Sequence, residues 1–200
     1  MIRKMSENIY MASNAWLVSR ELSEAAGPWN TQLYVDNDGE YFFRVVLASN
    51  GVRFISKACT FCRRSGYSSL SNIGTSDRKL EAKVLSMQLQ VRHLRSIEDS
   101  PRVREACVRY IQTWLVCFYP NRCDLVEKLK QIAIDLNGNL ESPSLSWKYN
   151  WLRRLFGWSV AKRARSILPM AKWSLIRHCD KALCRVQNQS GMASVLRNAK

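Results

Sequence analysis

The sequence predicts an α/β fold, a mixed α+β region over residues 1–72, followed by a mostly α-helical extension. Three patterns point to it. Two helical stretches and an apolar stretch at 52–64 share the first third of the chain. From Ser76 onward, apolar residues recur every three or four positions, the spacing of one helical face. A polar linker at 139–146 then leads into a basic, tryptophan-rich end. The expected organisation is 1–72, 73–138 and 139–200.

The elements follow in order. Ser19 to Gly27 reads as a short helix stopped by glycine, with Pro28 just beyond. Residues 29–34 read as loop. A helix is expected from about Asp38 to Ser49, with Phe42, Val45 and Val46 on one face and Asn50-Gly51 at its end. Residues 52–64 read as one or two short strands, and 66–71 as a polar turn. Leu80, Val84, Met87, Val91 and Leu94 define the next helix. Ser100-Pro101 opens another, a cap followed by proline at the first helical position. Val103, Cys107, Ile111 and Trp114 carry it towards Tyr119-Pro120. Asp124 and Glu127 read as a capping box, and Gly138 closes that helix. Beyond Gln187 the tail is expected to fray.

Bulk composition narrows the partners. Lys and Arg number 31 against 16 Asp and Glu, a formal charge of +15. That balance favours polyanions: nucleic acid, anionic lipid or phosphorylated ligands. The seven cysteines are an odd number. No apolar leader core follows Met1, and no stretch approaches the roughly 18 apolar residues that cross a bilayer. The reading is a cytoplasmic protein with reduced thiols. Cys59 and Cys62 have the spacing of a zinc half-site, but no second pair follows. In a strand, positions three apart also face opposite sides. His93 and His178 stand apart, so no two-histidine site is expected.

Residues 36–40 gather three acids, Asp36, Asp38 and Glu40. Helix capping explains them first: Asn37 caps the opening amides and Glu40 sits three residues on. Acids also stabilise a helix N-terminus by ~0.3–1 kcal/mol each. A calcium loop would need a glycine at its sixth place and a glutamate at its twelfth, and both are absent.

Over residues 12–72, about a third of the chain, the sequence resembles the second half of a family 2 glycosyltransferase. The resemblance rests on Gly27-Pro28-Trp29, the acid-headed helix at Asn37-Asp38 with Tyr41-Phe42-Phe43 and Arg44, the basic strand end Phe61-Cys62-Arg63-Arg64, and the turn Ser68-Ser69-Leu70-Ser71. It implies that the first region is a remnant of a GT-A fold. It implies that Asp38 is the catalytic base, with Asn37 in place of the first acid of the usual pair. Trp29, Trp16 and Gly27 would contact the acceptor, and Arg64 or Arg63 the donor diphosphate. Arg44 is expected in a structural ion pair. Such an enzyme moves a sugar, hexose-like, from a nucleotide sugar to a hydroxyl of a saccharide or lipid-linked acceptor, in polysaccharide or glycolipid synthesis.

The family's nucleotide-binding half, with the Asp-x-Asp that holds Mn or Mg, has no counterpart before residue 36. The chain is therefore expected to be the C-terminal part, truncated or split, inactive alone, binding no metal itself and needing an N-terminal half or partner chain. Asp36-Asn37-Asp38 has the metal motif's spelling but the position of the later acidic motif.

The basic end offers a second function, a non-enzymatic helical module. Trp147, Trp151, Leu152 and Leu155 share a helical face, with Arg153 and Arg154 opposite and Lys162, Arg163 and Arg165 beyond Trp158. This pattern suits a helix lying on an anionic membrane or a partner chain. Nucleic acid is disfavoured, because the charge fits but no recognition motif is present.

Overall fold

The computed structural model describes residues 1–9, 12–61, 73, 74, 76–143, 145, 146, 149–165 and single positions between 167 and 179. The regular elements among these residues are all helices, and no strand occurs among them. The expected α/β fold is thereby corrected. The chain divides into two compact units, Met1–Pro143 and Ser144–Lys200.

The first unit contains α1 (Ile2–Ser6), α2 (Arg20–Ala26), α3 (Asn37–Ala48), α4 (Asp77–Ile97), α5 (Pro101–Trp114) and α6 (Cys123–Asp135). The expected apolar stripe of α4, Leu80 to Leu94, is buried. It meets Val103, Cys107 and Ile111 of α5 and Leu125 and Leu129 of α6. Met5 of α1 and Phe43 of α3 enter the same core, both essentially inaccessible. Residues on either side of position 72 thus share one interior. A Leu→Ala change in such an interior costs about 2–5 kcal/mol. A smaller cluster joins Ala26 of α2 to Tyr41 and Val45 of α3, with Val18, Leu22 and Phe42 against it.

Helix ends follow local chemistry in part. Ser19 Oγ accepts from the Leu22 amide at 3.2 Å and starts α2. Gly27 ends it with φ +77°, a conformation that side-chain-bearing residues rarely adopt. Ser100 and Pro101 open α5 as the spacing predicts. The capping box expected in α6 does not form. Asp124 instead accepts two bonds from Arg122, at 2.9 and 2.8 Å, and Glu127 pairs with Lys130.

The strand expected from residue 52 is absent over 52–61, which is irregular and exposed. Phe54 is 88% and Phe61 92% accessible. A strand needs a neighbour for its amides and carbonyls, and none of the described residues supplies one. Positions 62–64 and the turn at 66–71 lie outside the described residues.

In the second unit a helix, α7, covers 149–165. Trp147, Trp173 and the tail beyond Gln187 lie outside the described residues. No helix among the described residues is long and apolar enough to cross a membrane.

Candidate functional site

The acid-rich stretch is the entry to α3, and its three carboxylates face three environments. Asp36 precedes the helix with φ 59°, a left-handed conformation that Asp and Asn adopt more readily than most residues. Its side chain does not cap the helix. Oδ2 accepts instead from Lys83 Nζ at 2.7 Å, Ser86 Oγ at 2.7 Å, Gln90 Nε2 at 3.0 Å and Tyr110 OH at 3.1 Å. Lys83 is 1% accessible, and its ammonium also lies 3.8 Å from the Trp114 ring centre. An unpaired ammonium there would carry a desolvation cost of several kcal/mol. Asp36 is its counter-charge. Burial alone would raise the Asp36 carboxyl, but Lys83, with Ser86 donating, outweighs burial and holds it below its ordinary 3.8. Burial and the adjacent Asp36 charge push the Tyr110 phenol well above 10. Lys4 of α1 approaches Gln90 Oε1 at 3.4 Å, and burial lowers its pKa.

Glu40, 3% accessible, is likewise engaged. Arg44 donates to it through Nε at 2.8 Å and Nη2 at 3.1 Å, and His93 Nε2 lies 3.1 Å away. This is the ion pair expected for Arg44. The same guanidinium donates to the Ala26 carbonyl and, at 2.8 Å, to that of Pro28. It thereby pins the Gly27–Trp29 turn to α3. The expected capping pair is corrected: among the described residues Asn37 Oδ1 accepts only from the adjacent Asp38 amide, at 2.8 Å, and Glu40 turns to Arg44.

Asp38 differs from both. It is partly exposed, and among the described residues its carboxylate accepts one bond, from the Gly39 amide at 2.8 Å. Positions i and i+4 share a helix face, so Asp38 stands about 6 Å along the axis from Phe42 on the same side of α3. Phe42 is where the two predicted acceptor tryptophans meet. Trp16 stacks on it with centroids 5.1 Å apart and planes 10° apart. Trp29 meets it edge-on at 6.1 Å while stacking on Tyr41 at 4.2 Å. Trp29 remains 43% accessible, and the buried Trp16 Nε1 has no hydrogen-bond partner among the described residues.

The structure thus brings Trp16 and Trp29 together on Phe42, one helical turn from Asp38, while Gly27 lies against Arg44. Arg63 and Arg64 lie outside the described residues. Two grooves lie elsewhere in the first unit. One of about 490 Å³ runs between α4 and α6 over Val84, Leu125 and Ile132. The other, of about 390 Å³, lies beside Arg104 and Leu136. Neither is lined by Asp38.

A divalent cation does not fit the Asp36–Asp38 pair. The oxygen of Asp36 that would bind it already holds an ammonium. Among the described residues no group of three His, Cys, Asp or Glu side chains could hold a metal ion. Cys59 is exposed and Cys62 lies outside the described residues.

Lys83, Ser86, Gln90 and Tyr110 escaped the sequence reading. A signal was present: Lys83 and Gln90 sit three residues after Leu80 and Met87, on the apolar stripe of α4, where a polar side chain must find a buried partner. Compared with known proteins, the chain matches no family model, no curated protein and no solved structure.

Proposed function

We propose that residues 12–72 form the acceptor side of a family 2 type glycosyltransferase, with Asp38 as its base. One observation carries this reading. Of three clustered carboxylates, Asp36 is paired with the buried Lys83 and Glu40 with Arg44, while Asp38, partly exposed, accepts only the Gly39 amide among the described residues, one helical turn from the Phe42 ring on which Trp16 stacks. An inverting transfer needs such a group. As the acceptor oxygen bonds to the anomeric carbon, Asp38 takes the hydroxyl proton and the nucleoside diphosphate departs with the bonding electrons. Trp29, stacked and half open, suits the apolar face of a sugar ring. Gly27 and Arg44 set the height of that ring above α3.

Donor binding and stabilisation of the leaving diphosphate belong to a nucleotide-binding half supplied by further sequence or a partner chain. No step of the acceptor side passes through a metal. The enzyme is placed in the cytoplasm at the inner face of the membrane, making polysaccharide or glycolipid, and this chain alone is inactive.

The test is transfer by the chain combined with a nucleotide-sugar-binding half. Asp38→Asn should reduce transfer by at least 100-fold, the lower range for loss of a general base. Its thermal midpoint should stay unchanged, because the side chain makes one local bond. Transfer at the wild-type rate in Asp38→Asn overturns the assignment.

A further inference from the structure

The groove between α4 and α6 lies apart from the acceptor side, and each of its walls is one helical stripe. Glu81, Val84, Leu85 and Gln88 follow at helical spacing on α4, and Leu125, Ile132 and Asp135 do so on α6. At 1.5 Å per residue the α6 wall is about 15 Å long. Val84 and Leu125 are buried, and Leu85 and Ile132 half-buried, so the floor is apolar. Its ends are acidic. Arg122, just before α6, meets Asp77, Glu81 and Asp124 at 3.0, 3.0 and 2.8 Å. One positive charge thus stands among three carboxylates, which are 75%, 60% and 57% accessible. Asp135 stands at the far end, where Arg95 feels its charge but bonds Asp99 at 3.1 and 2.8 Å. Lys128 is the one cation among the described residues that line the groove. On a chain of +15 this is a local reversal of sign.

Shape and charge together select an occupant. A bilayer does not enter a cleft between two helices, and nucleic acid would set phosphates against carboxylates. An extended peptide would leave its amides and carbonyls unpaired over the apolar floor. Both walls are helices that satisfy their own backbone, so neither offers it a ladder. A helix has already made its backbone bonds when it arrives. Its side-chain ridges fit between those of α4 and α6. Its apolar stripe covers Leu85 and Ile132, and a Lys or Arg at one end reaches the carboxylates beside Arg122.

We propose that the α4–α6 groove holds a basic amphipathic helix of a partner chain, about three turns long. The partner's cations face Asp77, Glu81 and Asp124, and its apolar side chains displace water from the floor. Repulsion from the rest of a basic chain opposes this encounter, so a cationic helix that binds is held by the groove itself. The proposal does not depend on sugar transfer.

The experiment is fluorescence anisotropy of labelled synthetic peptides added to the full chain. The probe is a helix of about 15 residues with leucine on one stripe and lysine elsewhere. One control carries glutamate for lysine, and another a central proline. The lysine helix is expected to bind, and the proline version to bind at least about tenfold more weakly. Gln88 is exposed on the rim, so its charge variants should act in opposite directions. Gln88→Glu should tighten binding and Gln88→Lys weaken it, each about threefold. Glu81→Gln with Asp124→Asn should weaken it about fivefold. Ile132→Ala should weaken it by about tenfold or more. Circular dichroism of each variant should match wild type, and the Gln88 pair removes no core contact. Absence of lysine-helix binding overturns the proposal. So does binding indifferent to both Gln88 variants and to Ile132→Ala, equal binding of the proline peptide, or glutamate-helix binding that is lost in Ile132→Ala. A dimer of the chain that dissociates in Gln88→Lys also overturns it, by making a second copy the occupant.

Discussion

The segments on either side of α3 have comparable apolar content and opposite fates. Residues 27–36, before the helix, bury Leu33 and Val35 to 4% and 7% accessibility. Residues 50–61, after it, carry Val52, Phe54, Ile55 and Phe61 and bury none. Polar anchorage separates them. The first segment is held at one end by Arg44 on two carbonyls and at the other by four donors converging on Asp36. Among the described residues the second shows a single turn bond, Ala58 amide to Ile55 carbonyl at 3.2 Å. Leaving water costs backbone groups more than a few apolar side chains return unless those groups find partners. A loop with waiting donors can be buried, whereas a strand-like piece without a ladder stays outside.

The comparison breaks most severely at Lys83. Lys83→Met should leave the Asp36 carboxylate without its cation and destabilise the first unit by about 3–5 kcal/mol in urea unfolding. Adding Asp36→Asn to that variant should recover part of the loss, since a lone buried charge is worse than none. Next is Arg44→Ala, about 2–3 kcal/mol, from loss of bonds to a buried carboxylate and two carbonyls. Hydrogen exchange should then quicken over 27–35 and not over α5.

Acid should act more gently. The folded Asp36 carboxyl titrates below its ordinary 3.8, so its stabilisation is present above that value and is lost as pH falls through the folded pKa. The melting temperature should fall with pH below about 4, and the fall should shrink in Asp36→Asn. The smallest effect belongs to the segment after α3. Phe54→Ser with Phe61→Ser should change unfolding free energy by less than about 0.5 kcal/mol while raising solubility.

Legibility in the sequence followed the range of the forces involved. The stripes of α4 and α5 and the stop at Gly27 are set within a few residues, and the structure has them where spacing predicts. The strands expected over 52–64 do not form over 52–61, because apolar and β-branched content reports only a preference for a pleated surface, and realising it needs a neighbouring strand. The role of Asp36 was hidden because its donors lie 47 to 74 residues away. Local grammar offered capping, while the long-range solution was neutralisation of Lys83. Asp38 was singled out by resemblance alone. That neither Lys83 nor Arg44 pairs with it became visible only when the partners of its two neighbours were known.

Gly39 has a side-chain direction blocked by the Asp36 carboxylate, so position 39 is held to glycine as Asp36 and Glu40 are held to their cations. Under purifying pressure for folding alone, the outer acids and the glycine would persist while position 38 wandered. On the proposed reading of Asp38 as base, a gene copy released from sugar transfer would record that release first at codon 38.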